Sequence, residues 1–467
     1  MAKPPKKPVA RVTPSRSEAF TILMELERSA NAHADDLLRG PRVTALPPQD
    51  RNLCTTLVLG TLRWQIRLDA SIRTRLAKPN AKLDPAIRIA LRLGLFQLQY
   101  LDRIPAHAAI GESVSLARLA GHEHASRMVN AVLRSLSEAP KPDLTALPAD
   151  PVQLAAATAH PKWLVERWLS HYGLATAQAI CQNGQRQPEL NVRLEDPAVE
   201  AELAGQGIDL APGAILSAVR RVLSGDVTST EAFRSGRVRI QEEGSQLIAE
   251  LAGRGGRILD CCAAPGGKAL ILAKRNPQAK LMALEISPAR CEALRMRIEA
   301  SPYAAQLEVV QGDATELPAE PSYDLILADV PCSGTGTLGR NPEIRHRLQP
   351  ADLNRHQERQ YAILRGALRA GAGRVIYSTC SLEPEENSAV VAKVLAEHLD
   401  WRQISVADVA RELREEGTMS LASDETLRST YGPDGSMTIL PGSFGPDVQT
   451  DGFFVAILEK LRPTSPQ

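Results

Sequence analysis

The sequence lacks the features that would place it in a membrane or outside the cell. Its 467 residues contain no apolar run of the roughly 18 residues that a membrane-spanning helix needs. The basic N-terminus, MAKPPKKPVARVTPSR, is not followed by the apolar core of a secretory signal. The seven cysteines form no Cys-x-x-Cys pair, which argues against a zinc site and against a disulfide framework. We therefore predict a cytoplasmic protein with reduced thiols, no metal and no membrane contact.

Two common nucleotide-binding patterns are also missing. The glycine-rich stretch ILDCCAAPGGKAL does not contain Gly-x-Gly-x-x-Gly. It is not a phosphate-binding loop either, because that loop needs Ser or Thr after its lysine, whereas Lys268 is followed by Ala269. These absences argue against hydrolysis of nucleoside triphosphates.

Positive charge is concentrated at the front of the chain. Residues 1–140 contain 21 lysines and arginines against 12 acidic residues, whereas the remainder contains 34 against 42. A basic first third on an acidic body suggests contact with a polyanion. A solvated, arginine-rich helical surface would explain this excess of positive charge equally well.

The length predicts several domains, and composition and periodicity suggest where they lie. We predict a disordered basic tail at 1–12, an all-helical domain at 13–140, a proline-rich linker at 141–154, a small α+β module at 155–235, and an α/β domain at 236–463 with a polar insertion at about 405–446. In the helical domain, Asp84 is a predicted N-cap with Pro85 at the first helical position.

The last domain alternates strands and helices, which predicts a mostly parallel sheet covered by helices on both faces. Its strand candidates are RILDCC, KLMALEI, LEVVQGDA, YDLILADV, RVIYSTC and FFVAILEKL. Ligands of such sheets bind at the carboxyl ends of the strands, where this sequence places Glu285, Asp313 and Asp329. Glu285 could accept both hydroxyl protons of a ribose, and Asp313 suits the exocyclic amine of adenine. Three acids after a glycine-rich turn favour a nucleoside without phosphates, and hence S-adenosylmethionine.

Two cysteines also end neighbouring candidate strands, Cys332 in DVPCS and Cys380 in STCS. A thiolate beside this cofactor suits methylation of pyrimidine C5, because its addition at C6 makes C5 nucleophilic. Asp329 could hydrogen-bond the N3/N4 edge of a cytosine. The target base must leave any helix to reach both cysteines, so we expect a single-stranded or loop cytosine. Spacing leaves open which cysteine attacks and which assists product release.

The motifs CAAPGGK, DVPCSGTG and YSTCSLEPEEN, with DRNLCTTLVLGTLRW and LRLGLFQLQYLDRIPAHAAIGESVSLAR in the helical part, resemble the RsmB (Sun) family. This resemblance covers almost the whole chain. It implies a Rossmann-like S-adenosylmethionine-dependent methyltransferase domain, preceded by an all-α NusB-like RNA-binding domain and a small α+β RNA-binding module. The implied activity is methylation of C5 of a specific cytosine in 16S ribosomal RNA through a covalent cysteine–C6 intermediate.

The resemblance also implies residue roles. Cys380 is the expected nucleophile, and Cys332 is expected to assist product release. The expected cofactor-binding residues are Cys262, Ala263, Ala264, Pro265, Gly266, Gly267, Lys268, Glu285, Asp313 and Asp329.

RNA contact and assembly are further expectations. Basic side chains hold phosphates without reading sequence, and the candidates in or near predicted loops are Arg186, Arg193, Arg340 and Arg345. We also predict a monomer. The alternatives are the same chemistry on tRNA or 23S rRNA, a non-catalytic RNA-binding assembly factor, and a DNA methyltransferase, which would attack with the Pro-Cys cysteine.

Overall fold

The computed structural model describes residues 12–29, 32–140, 143, 145–319, 322–444 and 448–461. The chain divides into two compact units, 1–186 with 338–347 and 187–337 with 348–467. Within the described ranges, no helix is long and apolar enough to cross a membrane. Helices and strands are numbered in chain order throughout.

The first unit is helical. Its helices are α1 (Pro14–Arg28), α2 (Ala34–Leu38), α3 (Pro41–Thr44), α4 (Pro48–Arg73), α5 (Pro85–Tyr100), α6 (Ala106–Leu119), α7 (Ser126–Ser137), α8 (Pro151–Ala157), α9 (Lys162–Gln185, kinked at Gly173) and, from the later segment, α15 (Ile344–Arg347). The predicted cap of α5 is confirmed, because Asp84 Oδ1 accepts a hydrogen bond from the Ala86 amide at 2.8 Å. The helical spacing of Leu91 and Leu95 places both side chains in the core, where neither is exposed.

Close packing of α4 on α5 depends on a glycine, Gly60, at the contact. A Cβ added at Gly60 would lie 2.0 Å from Cζ of Phe96, whose ring is stacked on Tyr100. We expect Gly60→Ala to lower the free energy of unfolding by about 1–3 kcal/mol, because overpacking outweighs the better helix propensity of alanine. Chemical denaturation measures the change. Gly111→Ala in α6 is the matched control, since its Cβ meets nothing within 4 Å; equal losses in the two variants would contradict this explanation.

The second unit begins with a small antiparallel sheet. Its elements are β1 (Leu190–Leu194), α10 (Val199–Gly205), β2 (Asp209–Pro212), β3 (Val219–Ser224), α11 (Glu231–Arg234) and β4 (Val238–Ile240). The strand order is β2-β3-β1-β4. Val192, Leu203 and Val238 share one small core, so this region is a mixed α+β module, as predicted.

A larger sheet with flanking helices forms the rest of this unit. Its strands are β5 (Arg257–Asp260), β6 (Lys280–Glu285), β7 (Leu307–Gln311), β8 (Tyr323–Asp329), β9 (Gly371–Thr379), β10 (Trp401–Ile404), β11 (Met437–Ile439) and β12 (Phe453–Lys460). Its helices are α12 (Glu243–Leu251), α13 (Gly267–Arg275), α14 (Pro288–Glu299), α16 (Pro350–Ala370), α17 (Ser388–Glu397), α18 (Val406–Glu415) and α19 (Ser423–Leu427). All six strand candidates are strands, and together with β10 they lie in the order β10-β12-β9-β8-β5-β6-β7.

The pairing pattern positions the site. Strands β7, β6, β5, β8 and β9 are parallel neighbours, and β12 and β10 continue the sheet antiparallel. The carboxyl ends of five strands therefore meet at one edge, which is the Rossmann-like arrangement that the alternation predicts.

The predicted polar insertion at about 405–446 is largely structured in its described part. It contains α18, α19 and β11, and its Val406, Val409 and Met437 are buried in the core beside the sheet. The polar residues that suggested an insertion are on the outer faces of these elements, for example Arg411 and Asp408, which pair at 2.7 Å.

Candidate active site

The turn between β5 and α13 is built for close approach to its backbone. Gly266 has φ +100°, a left-handed conformation that glycine adopts at little cost. A Cβ there would lie 2.7 Å from Cδ1 of Leu294. A side chain at this position would therefore be strained both by the backbone conformation and by its neighbour.

Each of the next two strands, β6 and β7, places one carboxylate beside this turn. Glu285, at the end of β6, is 3% exposed, and its Oε1 accepts a hydrogen bond from the Ser287 amide at 2.9 Å. Asp313 follows β7, and its Oδ1 accepts from the Thr315 amide at 2.9 Å. Each carboxylate thus has a local structural role in addition to its position at the strand end.

Both carboxylates line one cavity of about 300 Å³. The cavity is lined by Cys261, Cys262, Ala264, Glu285, Ile286, Ser287, Arg290, Gly312, Asp313, Ala314, Asp329, Val330, Pro331, Cys332, Arg359, Ile363 and Cys380. The structure therefore brings the three predicted acids and both predicted cysteines to one space. Of the predicted loop residues, Cys262 and Ala264 line the cavity, whereas Ala263, Pro265, Gly266, Gly267 and Lys268 do not.

Lys268 instead contacts Asp329, the acid at the end of β8. Its Nζ is 2.8 Å from Asp329 Oδ2 and 2.9 Å from Ser245 Oγ. The hydroxyl of Ser378 donates to the other carboxylate oxygen of Asp329 at 2.7 Å. Asp329 is thereby fixed in orientation at the cavity wall by one cation and one hydroxyl. The role of Ser378 could not be predicted from the sequence, since a serine before a Thr-Cys pair carries no spacing signal.

A second acid lies buried at the end of β5. Asp260 is 1% exposed. Burial, followed by the neighbouring Asp329 carboxylate, raises the pKa of Asp260 to about 7.

The two cysteines are adjacent, with Cys332 Sγ 3.4 Å from Cys380 Sγ. The hydrogen bond to Cys380, together with burial, raises the pKa of Cys332 well above that of an ordinary thiol.

Two predicted RNA contacts are wrong in this structure. Arg193 is 4% exposed, and its guanidinium is 2.7 Å from the buried Glu250 carboxylate. Arg345 is 2% exposed and donates to the carbonyls of Arg63 and Gly184 at 3.1 and 3.0 Å. Burial lowers the pKa of Arg345 to about 9. Both guanidiniums are used inside the protein, and sequence could not reveal this because burial is a tertiary property.

The other two arginines, Arg186 and Arg340, are partly exposed, so their assignment as RNA contacts stays a prediction. The sequence reasoning also missed Arg359, an exposed residue of α16 that lines the cavity with Cys332. No motif marks it. Within the described ranges there is no group of three or more side chains that could hold a metal ion.

Three protein-family models match separate segments of the chain. Residues 251–459 match the family described as 16S rRNA methyltransferase RsmB/F. Residues 13–138 match the NusB family, and residues 160–219 match the ferredoxin-like domain of RsmF/B-like methyltransferases.

Solved structures show the same fold. The crystal structure of PH0851 has a TM-score of 0.76 at 21% identity, covering 96% of this chain and 99% of that one. The structure of NSun6 from Pyrococcus horikoshii with SFG has a TM-score of 0.54 at 18% identity, covering 65% of this chain and 98% of that one.

Whole-chain relatives are closer in sequence. The chain is 34% identical to the probable ribosomal RNA small subunit methyltransferase B of Bacillus subtilis (strain 168), over 96% of this chain and 99% of the relative. It is also 34% identical to ribosomal RNA small subunit methyltransferase B of Pseudomonas syringae pv. tomato, over 78% of this chain and 82% of the relative. With its fold, its paired cysteines and these relatives in agreement, the chain belongs to the RsmB/F family of 16S rRNA methyltransferases.

Proposed function

We propose that this protein transfers a methyl group from S-adenosylmethionine to C5 of a cytosine in 16S rRNA, through a covalent bond between Cys380 and C6 of the base. One observation carries the proposal: the two cysteine sulfurs lie 3.4 Å apart on the wall of the cavity that Glu285 and Asp313 also line. A cofactor pocket alone would fit many methyltransferases. A pair of sulfurs beside it is what C5 chemistry needs.

The cavity residues fit the nucleoside end of S-adenosylmethionine. Glu285 offers a buried carboxylate for the two ribose hydroxyls, and Asp313 offers an acceptor for the adenine amine. Cys262 and Ala264 of the turn after β5 line the same cavity. When bound there, the cofactor supplies an electrophilic methyl group to C5.

The two cysteines carry out the remaining steps, Cys380 as nucleophile and Cys332 in product release. The Cys380 thiolate forms a bond to C6, and the electron pair displaced from the C5=C6 double bond makes C5 nucleophilic. After methylation, the Cys332 thiol gives its own proton to water, and the resulting thiolate takes the C5 proton. The electron pair of the C5–H bond re-forms the C5=C6 double bond as the C6–S bond breaks, and Cys380 returns as a thiolate. We assign release to Cys332 because it lies within sulfur–sulfur contact of the nucleophile.

Asp329 is suited to hold the base during attack. Its carboxylate is oriented by Lys268 and Ser378 and can face the N3/N4 edge of a cytosine. Attack at C6 shifts negative charge onto the ring toward N3. The neighbouring Lys268 ammonium, whose pKa is raised by the Asp329 carboxylate against the effect of burial, would stabilise that charge.

The substrate assignment rests on the relatives, whose names state the small subunit rRNA. The test is methyl transfer from labelled S-adenosylmethionine to 16S, 23S and tRNA transcripts, with the labelled position mapped by bisulfite sequencing. Label on a cytosine of 16S alone is the expected result. Label on tRNA or 23S alone would keep the chemistry and change the substrate, whereas label on an exocyclic amine would refute the proposed reaction.

Removing the ribose carboxylate should weaken cofactor binding. Glu285→Ala loses hydrogen bonds to a charged group, which contribute about 1.5–3 kcal/mol, so we expect the Kd for S-adenosylmethionine to rise roughly 10- to 100-fold. Isothermal titration calorimetry measures the affinity. Glu292→Ala on α14 is the control, because that carboxylate is 62% exposed and pairs with Arg295. An unchanged Kd in Glu285→Ala would place the ribose elsewhere.

A further inference from the structure

We propose that Glu386 is a positioning residue that holds the Cys332 loop against Cys380, and that product release depends on it. This inference rests on the proposed function, because it concerns the same pair of cysteines. Glu386 does not line the cavity and was not among the residues that the sequence singled out.

A single buried carboxylate joins the residues next to both cysteines. Glu386 has no solvent exposure and lies in the 3-10 turn Pro384–Glu386 that follows Cys380. Its Oε1 accepts a hydrogen bond from the Ser333 amide at 2.8 Å, and its Oε2 accepts from the hydroxyls of Ser333 and Ser381. Ser333 follows Cys332 and Ser381 follows Cys380, so the carboxylate connects the two loops directly.

The loop that carries Cys332 is held from both sides. Gln360 of α16 donates from Nε2 to Glu386 Oε1 at 2.9 Å and to the carbonyl of Pro331 at 3.1 Å. Pro331 and Ser333 flank Cys332 in sequence, and both are thus fixed by the Glu386–Gln360 pair. A buried carboxylate is costly unless donors satisfy it, and here four donors do so. The arrangement therefore restricts the position of Cys332 more than surface hydrogen bonds could.

The Cys380 segment has anchors that do not involve Glu386. Asn387 donates from Nδ2 to the carbonyl of Ser381 at 3.0 Å. The carbonyl of Cys380 accepts a hydrogen bond from the Gly336 amide at 2.9 Å. Loss of the Glu386 carboxylate should therefore free the Cys332 loop more than the nucleophile. The defect should resemble loss of Cys332, in which attack and methylation proceed and release fails.

The test uses full-length Glu386→Ala and Glu386→Gln with the RNA that the wild type methylates. For Glu386→Ala we expect a covalent protein–RNA adduct on denaturing gels, with kcat lower by roughly 100-fold, since displacement of a reacting group by about 1 Å has that effect. The Kd for S-adenosylmethionine should not change. Glu386→Gln should be intermediate, because its amide oxygen can still accept from the Ser333 amide and from Gln360.

Two controls separate positioning from general instability. Glu397→Ala removes a carboxylate from α17 that contacts only Tyr361 among the described hydrogen bonds, and it should form no adduct. In a Cys332→Ala background, adding Glu386→Ala should leave the adduct yield unchanged, because both changes disable the same step. A further increase in adduct in the double variant would contradict action through Cys332.

A stable Glu386→Ala protein that binds cofactor normally but forms no adduct overturns the inference. If Glu386→Ala does not fold, Glu386→Gln and Ser333→Ala decide the question, and wild-type kcat in both overturns it. If Cys332→Ala itself forms no adduct while the wild type methylates RNA, the proposed division of roles between the cysteines fails, and the inference about Glu386 fails with it.

Discussion

Cys380→Ala should abolish methyl transfer, and Cys332→Ala should trap RNA on the protein. Removal of a nucleophile that acts as a unit with its partner lowers turnover on the order of 10⁶-fold in other covalent enzymes, and without the C6–S bond C5 of cytosine is a poor nucleophile. Cys332→Ala keeps the attacking sulfur and loses the neighbour 3.4 Å away that assists release. Its expected product is a methylated, covalently bound RNA.

The measurement combines transfer of labelled methyl groups with denaturing gels of the protein–RNA mixture. Cys54→Ala is the control, since that cysteine is buried in the helical unit. This variant should form no adduct. The opposite pattern, in which Cys380→Ala traps RNA and Cys332→Ala is inactive without an adduct, would reverse the roles.

Asp329→Ala should lower kcat by about 10²–10³-fold, the usual effect of removing one preorganised electrostatic contact to the reacting group. The substitution leaves Lys268, whose side chain is 14% exposed, without its 2.8 Å partner, and it removes the acceptor for Ser378. Both the base contact and the orientation of the ammonium are lost together. Single-turnover methylation at saturating cofactor measures the effect on chemistry.

A double-mutant cycle measures whether Asp329 and Lys268 act together or independently. If Asp329 and Lys268 act as a unit, Asp329→Ala and Lys268→Ala together should cost about as much as the more severe single change. Ser378→Ala removes only the hydroxyl contact and should have a smaller effect. Additive losses in the cycle would mean that the two side chains act independently, and an unchanged kcat in Asp329→Ala would exclude a role for it in holding the base.

Much of the site could be predicted from sequence because the carboxyl ends of parallel strands lie at the same edge of a sheet. Once β5, β6, β7, β8 and β9 are recognised as buried strands, Glu285, Asp313 and Asp329 must lie at one edge of the sheet. The same geometry brings Cys332 and Cys380 together, since β8 and β9 are neighbours. These predictions depend only on local pattern and on the topology that follows from it.

The sequence by itself thus determined the α/β fold, the helical front domain, the strand ends that carry the acids and the presence of two cysteines beside them. Only the tertiary structure decided that Arg193 and Arg345 are buried and that Glu386 joins the two cysteine loops. The physical reason is that periodicity and spacing record which face of an element is apolar. They do not record which buried polar side chains meet, because the partners come from distant parts of the chain and are selected by packing.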